Sequence, residues 1–134
     1  MKSGADYFYI QGGMKRAVSA AALAGNNLNV AYALSLSDVS VEGYNTNFKM
    51  NPPLRSPSDV EALQKGLAEG VIDSVATDHA PHTEEEKMME FDEAPFGVIG
   101  LETALGVCLT ELVHSKKMTL GALVERMSVR PAQI

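Results

Sequence analysis

Residues able to do chemistry are concentrated in one short block, Ala76-Thr77-Asp78-His79-Ala80-Pro81-His82, which places a carboxylate beside two imidazoles. Aspartate and histidine are both good zinc ligands and both good proton acceptors. A D-H-x-x-H cluster does not alone define a four-coordinate metal site. The plainer alternative, that Asp78 caps a turn between two loop histidines, stays open on pattern alone. A second unusual block is Lys49-Met50-Asn51-Pro52-Pro53-Leu54-Arg55, where consecutive prolines make a rigid loop and stop an extended segment. Asn51 reads either as an ordinary turn residue or as a side chain held out for binding. His114, near the end of an apolar-periodic stretch, suits a helix C-terminus and is given no function.

The elements around these blocks set their position. Val71–Thr77 is an apolar run of strand length ending at Asp78, and aspartate is depleted within strands. Before it, Ser56-Pro57-Ser58-Asp59 signals a helix start, with Ser56 as N-cap, and Gly70 closes the helix. Val60, Leu63 and Leu67 would share its inner face. Strand, helix and strand at this spacing predict a βαβ unit with parallel strands, whose following loops carry the site. Thr83 and Glu86 have capping-box spacing, so Glu84-Glu85-Glu86 is expected to open a short helix.

Leu101, Ala104, Leu105, Cys108, Leu109 and Leu112 predict an amphipathic helix. Thr119 should cap another, with Leu120, Leu123, Val124 and Met127 facing inward. Arg130-Pro131-Ala132 reads as a further helix start, as if the chain were cut short there. Upstream, Met14–Ala24 is expected as a helix and Val30–Leu36 as a short strand.

Composition narrows the field. The 134 residues are 46% hydrophobic and carry a net charge of −6 with scattered basic residues, which argues against a nucleic-acid partner. No apolar run approaches the ~20 residues of a membrane span, and no secretory signal opens the chain, so a soluble cytoplasmic protein is expected. Cys108 is the single cysteine, which excludes an internal disulfide. It is expected in the core.

Three blocks together resemble bacterial dihydroorotase, an amidohydrolase. They are Asn47-Phe48-Lys49-Met50-Asn51-Pro52-Pro53-Leu54-Arg55-Ser56, Ala76–His82, and Glu93-Ala94-Pro95-Phe96-Gly97-Val98-Ile99-Gly100-Leu101-Glu102-Thr103-Ala104. The resemblance spans about residues 34–134 and leaves 1–33 as a divergent segment. It implies an α/β fold, the C-terminal portion (about strands 6–8) of a metal-dependent (β/α)8 barrel. It also implies opening of a cyclic amide, interconverting dihydroorotate and N-carbamoyl-aspartate in pyrimidine biosynthesis.

Residue by residue, the resemblance makes Asp78 a Zn2+ ligand and the catalytic base. Asn51 would bond the substrate ring, His82 would hold its carboxylate, and the backbone of Phe96 and Gly97 would contact the ring. His79 receives no ligand role. The family's His-x-His motif, bridging acid and further histidines have no counterparts here, since no histidine precedes His79. One expectation is therefore a dihydroorotase part that is inert alone; a reading-frame change upstream of residue 34 would explain the divergence. The alternatives are a non-catalytic subunit completed by a partner chain, or a self-sufficient cyclic amidase. Exposed sheet edges would favour oligomers.

Overall fold

The computed structural model describes the backbone of residues 7–11 and 14–18, together with residues 30–134. In chain order the elements are β1 (Tyr7–Gln11), β2 (Met14–Val18), α1 (Val30–Ala33), α2 (Pro57–Glu69), α3 (Glu84–Lys87), α4 (Ala104–Cys108) and α5 (Leu120–Val124). Short 3-10 turns at Asp38–Val41, Thr46–Phe48 and Pro131–Gln133 complete the set. The last of these stands where Arg130-Pro131-Ala132 reads as a helix start.

α2 forms as its sequence requires. Ser56 and Asp59 make a reciprocal capping box, Pro57 occupies the first turn, and Gly70 ends the helix at φ +77. Leu63 and Leu67 turn inward and join Leu34, Cys108, Leu112 and Leu123 in the core, with Ile72, Val75, Leu109 and Met127 packed against it. Gln64, also buried, is satisfied by donating to the Leu34 carbonyl at 2.7 Å and accepting from Lys117 Nζ at 2.7 Å.

α4 and α5 each continue as π-helical turns, over Leu109–His114 and Glu125–Val129. Ala104, Cys108 and Leu112 make the buried ridge, whereas Leu101 and Leu105 are exposed. In the next helix only Leu123 is fully buried; Leu120 and Val124 face outward and Met127 packs at the edge. The apolar stripe read from the sequence is thus wider than the face the described residues cover.

Three expectations about secondary structure are corrected. Met14–Val18 is a strand, paired antiparallel with β1 from Tyr7↔Val18 to Gln11↔Met14; residues 19–24 of the expected helix lie outside the described residues. The β-forming run Tyr7-Phe8-Tyr9-Ile10 and the Gly12-Gly13 dipeptide between the strands outweigh a helical pattern built mostly on alanine. Val30–Ala33 is a helical turn rather than a strand, because Ala31 and Leu34, three apart, are the buried pair.

Val71–Thr77 forms no ladder, since a strand needs a neighbour to accept its N–H groups. Val75 N–H instead donates to the Arg126 carbonyl at 3.1 Å. Among the described residues the one parallel pairing is an isolated bridge between His79 and Val98. The expected strand–helix–strand unit is therefore α2 flanked by extended segments without a parallel sheet.

Candidate active site

The segment 77–80 lies alongside 97–100, and close backbone packing fixes it there. Ala80 N–H donates to the Val98 carbonyl at 3.0 Å, completing the His79–Val98 bridge. A Cβ on Gly100 would fall 2.8 Å from the Thr77 carbonyl oxygen, and one on Gly97 would fall 2.7 Å from Ala80 Cβ. Both glycines are there because nothing larger fits. Asp78, between these contacts, is exposed and has φ +44, a left-handed conformation that aspartate tolerates better than most residues.

His79 is part of the brace. Its Nδ1 accepts hydrogen bonds from the amides of Gly100 (3.0 Å) and Leu101 (3.2 Å). A nitrogen accepting two N–H groups carries no proton, so the ring is the Nε2–H tautomer. Glu102 Oε2 stands 3.6 Å from the same Nδ1, but with that nitrogen unprotonated the contact is not an ion pair.

His82 meets the third block directly. Its Nε2 lies 2.9 Å from the Phe96 carbonyl, which can only accept, so Nε2 donates; Nδ1 is 3.5 Å from Glu86 Oε2. Glu86 belongs to the capping box of α3, where Thr83 N–H donates to its carboxylate at 2.9 Å. That backbone hydrogen bond, with a smaller contribution from His82, holds the Glu86 carboxyl below its usual value.

The loop carrying Phe96 and Gly97 is tied to the block before Asn51, because Gly97 N–H donates to the Lys49 carbonyl at 3.1 Å. Asn51 itself is exposed, at a cis Asn51-Pro52 peptide. A cleft of about 320 Å³ runs past His82, Gly97, Lys87, Asn47 and Tyr32. Asp78 and Asn51 are not among its lining residues. The structure thus brings together His82, Phe96 and Gly97, and leaves Asp78 and Asn51 at separate exposed positions.

Sequence reasoning passed over two lysines. Lys49 is buried, with Nζ donating to the carbonyls of Asp92 (3.0 Å) and Ala94 (2.6 Å). Lys87 Nζ donates to the carbonyls of Pro95 (2.9 Å), Thr46 (3.1 Å) and Lys49 (3.4 Å). Burial, followed by repulsion from Lys49, lowers the Lys87 pKa. Nothing in the residue pattern around either lysine singled it out: Lys49 stands among Asn45, Thr46, Asn47 and Asn51, and Lys87 follows a run of three glutamates.

Among the described residues no three His, Cys, Asp or Glu side chains gather into a group that could hold a metal. Zinc takes about three or four protein ligands, so these residues do not by themselves fit a zinc centre. Asp78 could supply one carboxylate. No helix of the described residues is long and apolar enough to cross a membrane.

Comparison with known proteins shows what the chain is similar to. The chain is 57% identical over 100 residues to a dihydroorotase of Endomicrobium trichonymphae, covering 75% of the chain and 24% of that protein. It is 57% identical over 101 residues to one of Carboxydothermus hydrogenoformans, with the same coverage. Over this stretch, three quarters of the chain, the sequence is similar to that of dihydroorotases. It spans about a quarter of the length of the curated relatives it matches.

Among solved structures, the L-hydantoinase (dihydropyrimidinase) of Arthrobacter aurescens superposes with a TM-score of 0.70 at 31% identity, over 77% of this chain and 24% of that one. A D-hydantoinase (dihydropyrimidinase) from Thermus sp. gives 0.67 at 26%, over 75% and 23%. The fold is therefore that of the corresponding part of these amidohydrolase-type enzymes. No family model matches the chain.

Proposed function

We propose that this chain is the substrate-facing C-terminal part of a dihydroorotase, acting in the cytoplasm to interconvert dihydroorotate and N-carbamoyl-aspartate. The identity to dihydroorotases carries this reading. It is supported by the contact of His82 with Phe96 and Gly97, three positions the sequence blocks single out. In a complete (β/α)8 barrel, the extended segment 71–79 would become a strand once a neighbour accepted its ladder hydrogen bonds.

Ring opening requires a base to take a proton from water and return it to the departing amide nitrogen. Asp78, exposed and held by the packing on either side of it, is suited to that work. His82 would hold the substrate carboxylate, exchanging one of its two present contacts for it. Asn51 and the Phe96–Gly97 backbone would bond the ring. Zinc is the cofactor of this reading, with its remaining ligands drawn from outside the described residues.

The test is hydrolysis of dihydroorotate by the purified chain with zinc, alongside Asp78→Ala, plus titration with N-carbamoyl-aspartate followed by NMR. The chain alone is expected to show no turnover, because its described residues do not complete a zinc centre, while the ligand should shift His82 and Gly97. Turnover that survives Asp78→Ala, or no shift at either residue at saturating ligand, would overturn the assignment. A second reading is a non-catalytic subunit completed by another chain, favoured by the exposure of Leu101, Leu105, Leu120 and Val124. A stoichiometric partner in pull-down would support it.

A further inference from the structure

We infer that Lys49 and Lys87 are positioning residues that hold the Phe96–Gly97 loop against His82. A buried ammonium normally needs a counter-charge, because removing it from water is costly. Among the described residues neither lysine is ion-paired; both spend their N–H donors on main-chain carbonyls. Three of the carbonyls they select lie close together along one loop. Lys49 takes Asp92 and Ala94, and Lys87 takes Pro95, the residue immediately before Phe96.

The remaining contacts serve the same segment. Lys49 Nζ lies 4.6 Å from the centre of the Phe96 ring and 5.4 Å from that of Phe91, each electron-rich face attracting the cation. Lys87 also grips the carbonyls of Thr46 and Lys49, while Thr46 Oγ1 donates back to the Lys87 carbonyl. The Lys49 carbonyl in turn accepts from Gly97 N–H. Both cations therefore join the 46–49 segment to the 92–97 loop, and the loop presents the Phe96 carbonyl to His82 Nε2.

An apolar side chain would fill this space more cheaply. A charged group that donates several hydrogen bonds fixes carbonyl directions, which packing alone does not do. The inference rests on the reading of His82, Phe96 and Gly97 as substrate contacts. Its test does not require turnover, so the two can fail separately.

The experiment compares Lys87→Met, Lys87→Arg and the unmodified chain by amide hydrogen exchange and by imidazole nitrogen NMR. Lys87 is the better target because it is only partly buried. In Lys87→Met, exchange at Gly97 should rise by at least about tenfold, with α2 protection unchanged. The His82 ring should lose its fixed Nε2–H signature. Lys87→Arg should restore both.

Unchanged Gly97 exchange and an unchanged His82 signature in Lys87→Met would overturn the proposal. So would an equal loss of protection in α2, which would mark Lys87 as a general stabiliser. Lys49→Met repeats the test from the other side, with the same outcomes deciding it.

Discussion

Replacing Gly97 by alanine tests whether the site is held by backbone contact. Two independent costs arise. Gly97 has φ +132, a region essentially closed to residues with a Cβ, and forcing one there costs about 1–3 kcal/mol. The added carbon would also lie 2.7 Å from Ala80 Cβ and 2.8 Å from the Ala80 carbonyl oxygen. Those atoms cannot rotate away, because Ala80 N–H is bonded to Val98. Overpacking of this kind costs about 1–3 kcal/mol. The expected loss is about 2–6 kcal/mol, a large part of the ~5–15 kcal/mol that holds a typical domain together.

Urea unfolding followed by far-ultraviolet circular dichroism measures the loss, and Gly106→Ala supplies the control. Gly106 lies within α4 with open space around its Cβ position, so alanine there should stabilise by about 0.4–1 kcal/mol. If Gly97→Ala unfolds within about 0.5 kcal/mol of the unmodified chain, the packing of 77–80 on 97–100 does not hold Asp78 in place.

His79→Asn keeps an acceptor near the position of Nδ1, whereas His79→Ala leaves the Gly100 and Leu101 amides without a partner; urea midpoints should separate the two by about 1–3 kcal/mol. Ser56→Ala removes the capping oxygen of α2 and should cost about 0.5–2 kcal/mol in the same assay. Cys108 is fully buried, and burial raises its thiol from the ordinary 9.0 to about 11. Its folded pKa is the higher one, so its stabilising contribution is complete below pH 9 and is lost as pH rises toward 11, by roughly 2–3 kcal/mol. A thiol reagent at pH 8 should label Cys108 no faster than the chain unfolds, and rapid labelling would place the thiol outside the core.

Local chemistry explains which parts of the fold were legible. Ser56, Pro57, Asp59 and Gly70 specify α2 through contacts within a few residues, and every one of those contacts is present. Thr83 with Glu86, and Thr119 with Ala122 N–H, behave the same way. Val71–Thr77 could not be settled locally, because the same residues make a strand or a bare extended segment according to what lies beside them. The apolar faces of α4 and α5 raise the same difficulty. Periodicity identifies Leu101, Leu105, Leu120 and Val124 as apolar-face residues, but only a packed neighbour decides whether that face is buried.

The site divides along the same line. The blocks holding Asp78, His82 and Asn51 stand out by composition, whereas Phe96 and Gly97 were singled out only by the resemblance of their block to dihydroorotase. What joins the blocks is distant in sequence, since Lys49 reaches Ala94 and His79 reaches Gly100. Such links use main-chain amides and carbonyls, which every residue possesses, so no side-chain pattern reveals the partner. It follows that a substitution at Lys87 or His79 should disturb the site through a backbone it never alters covalently. The blocks name the groups that could touch a substrate, and the backbone-directed side chains set the distances between them.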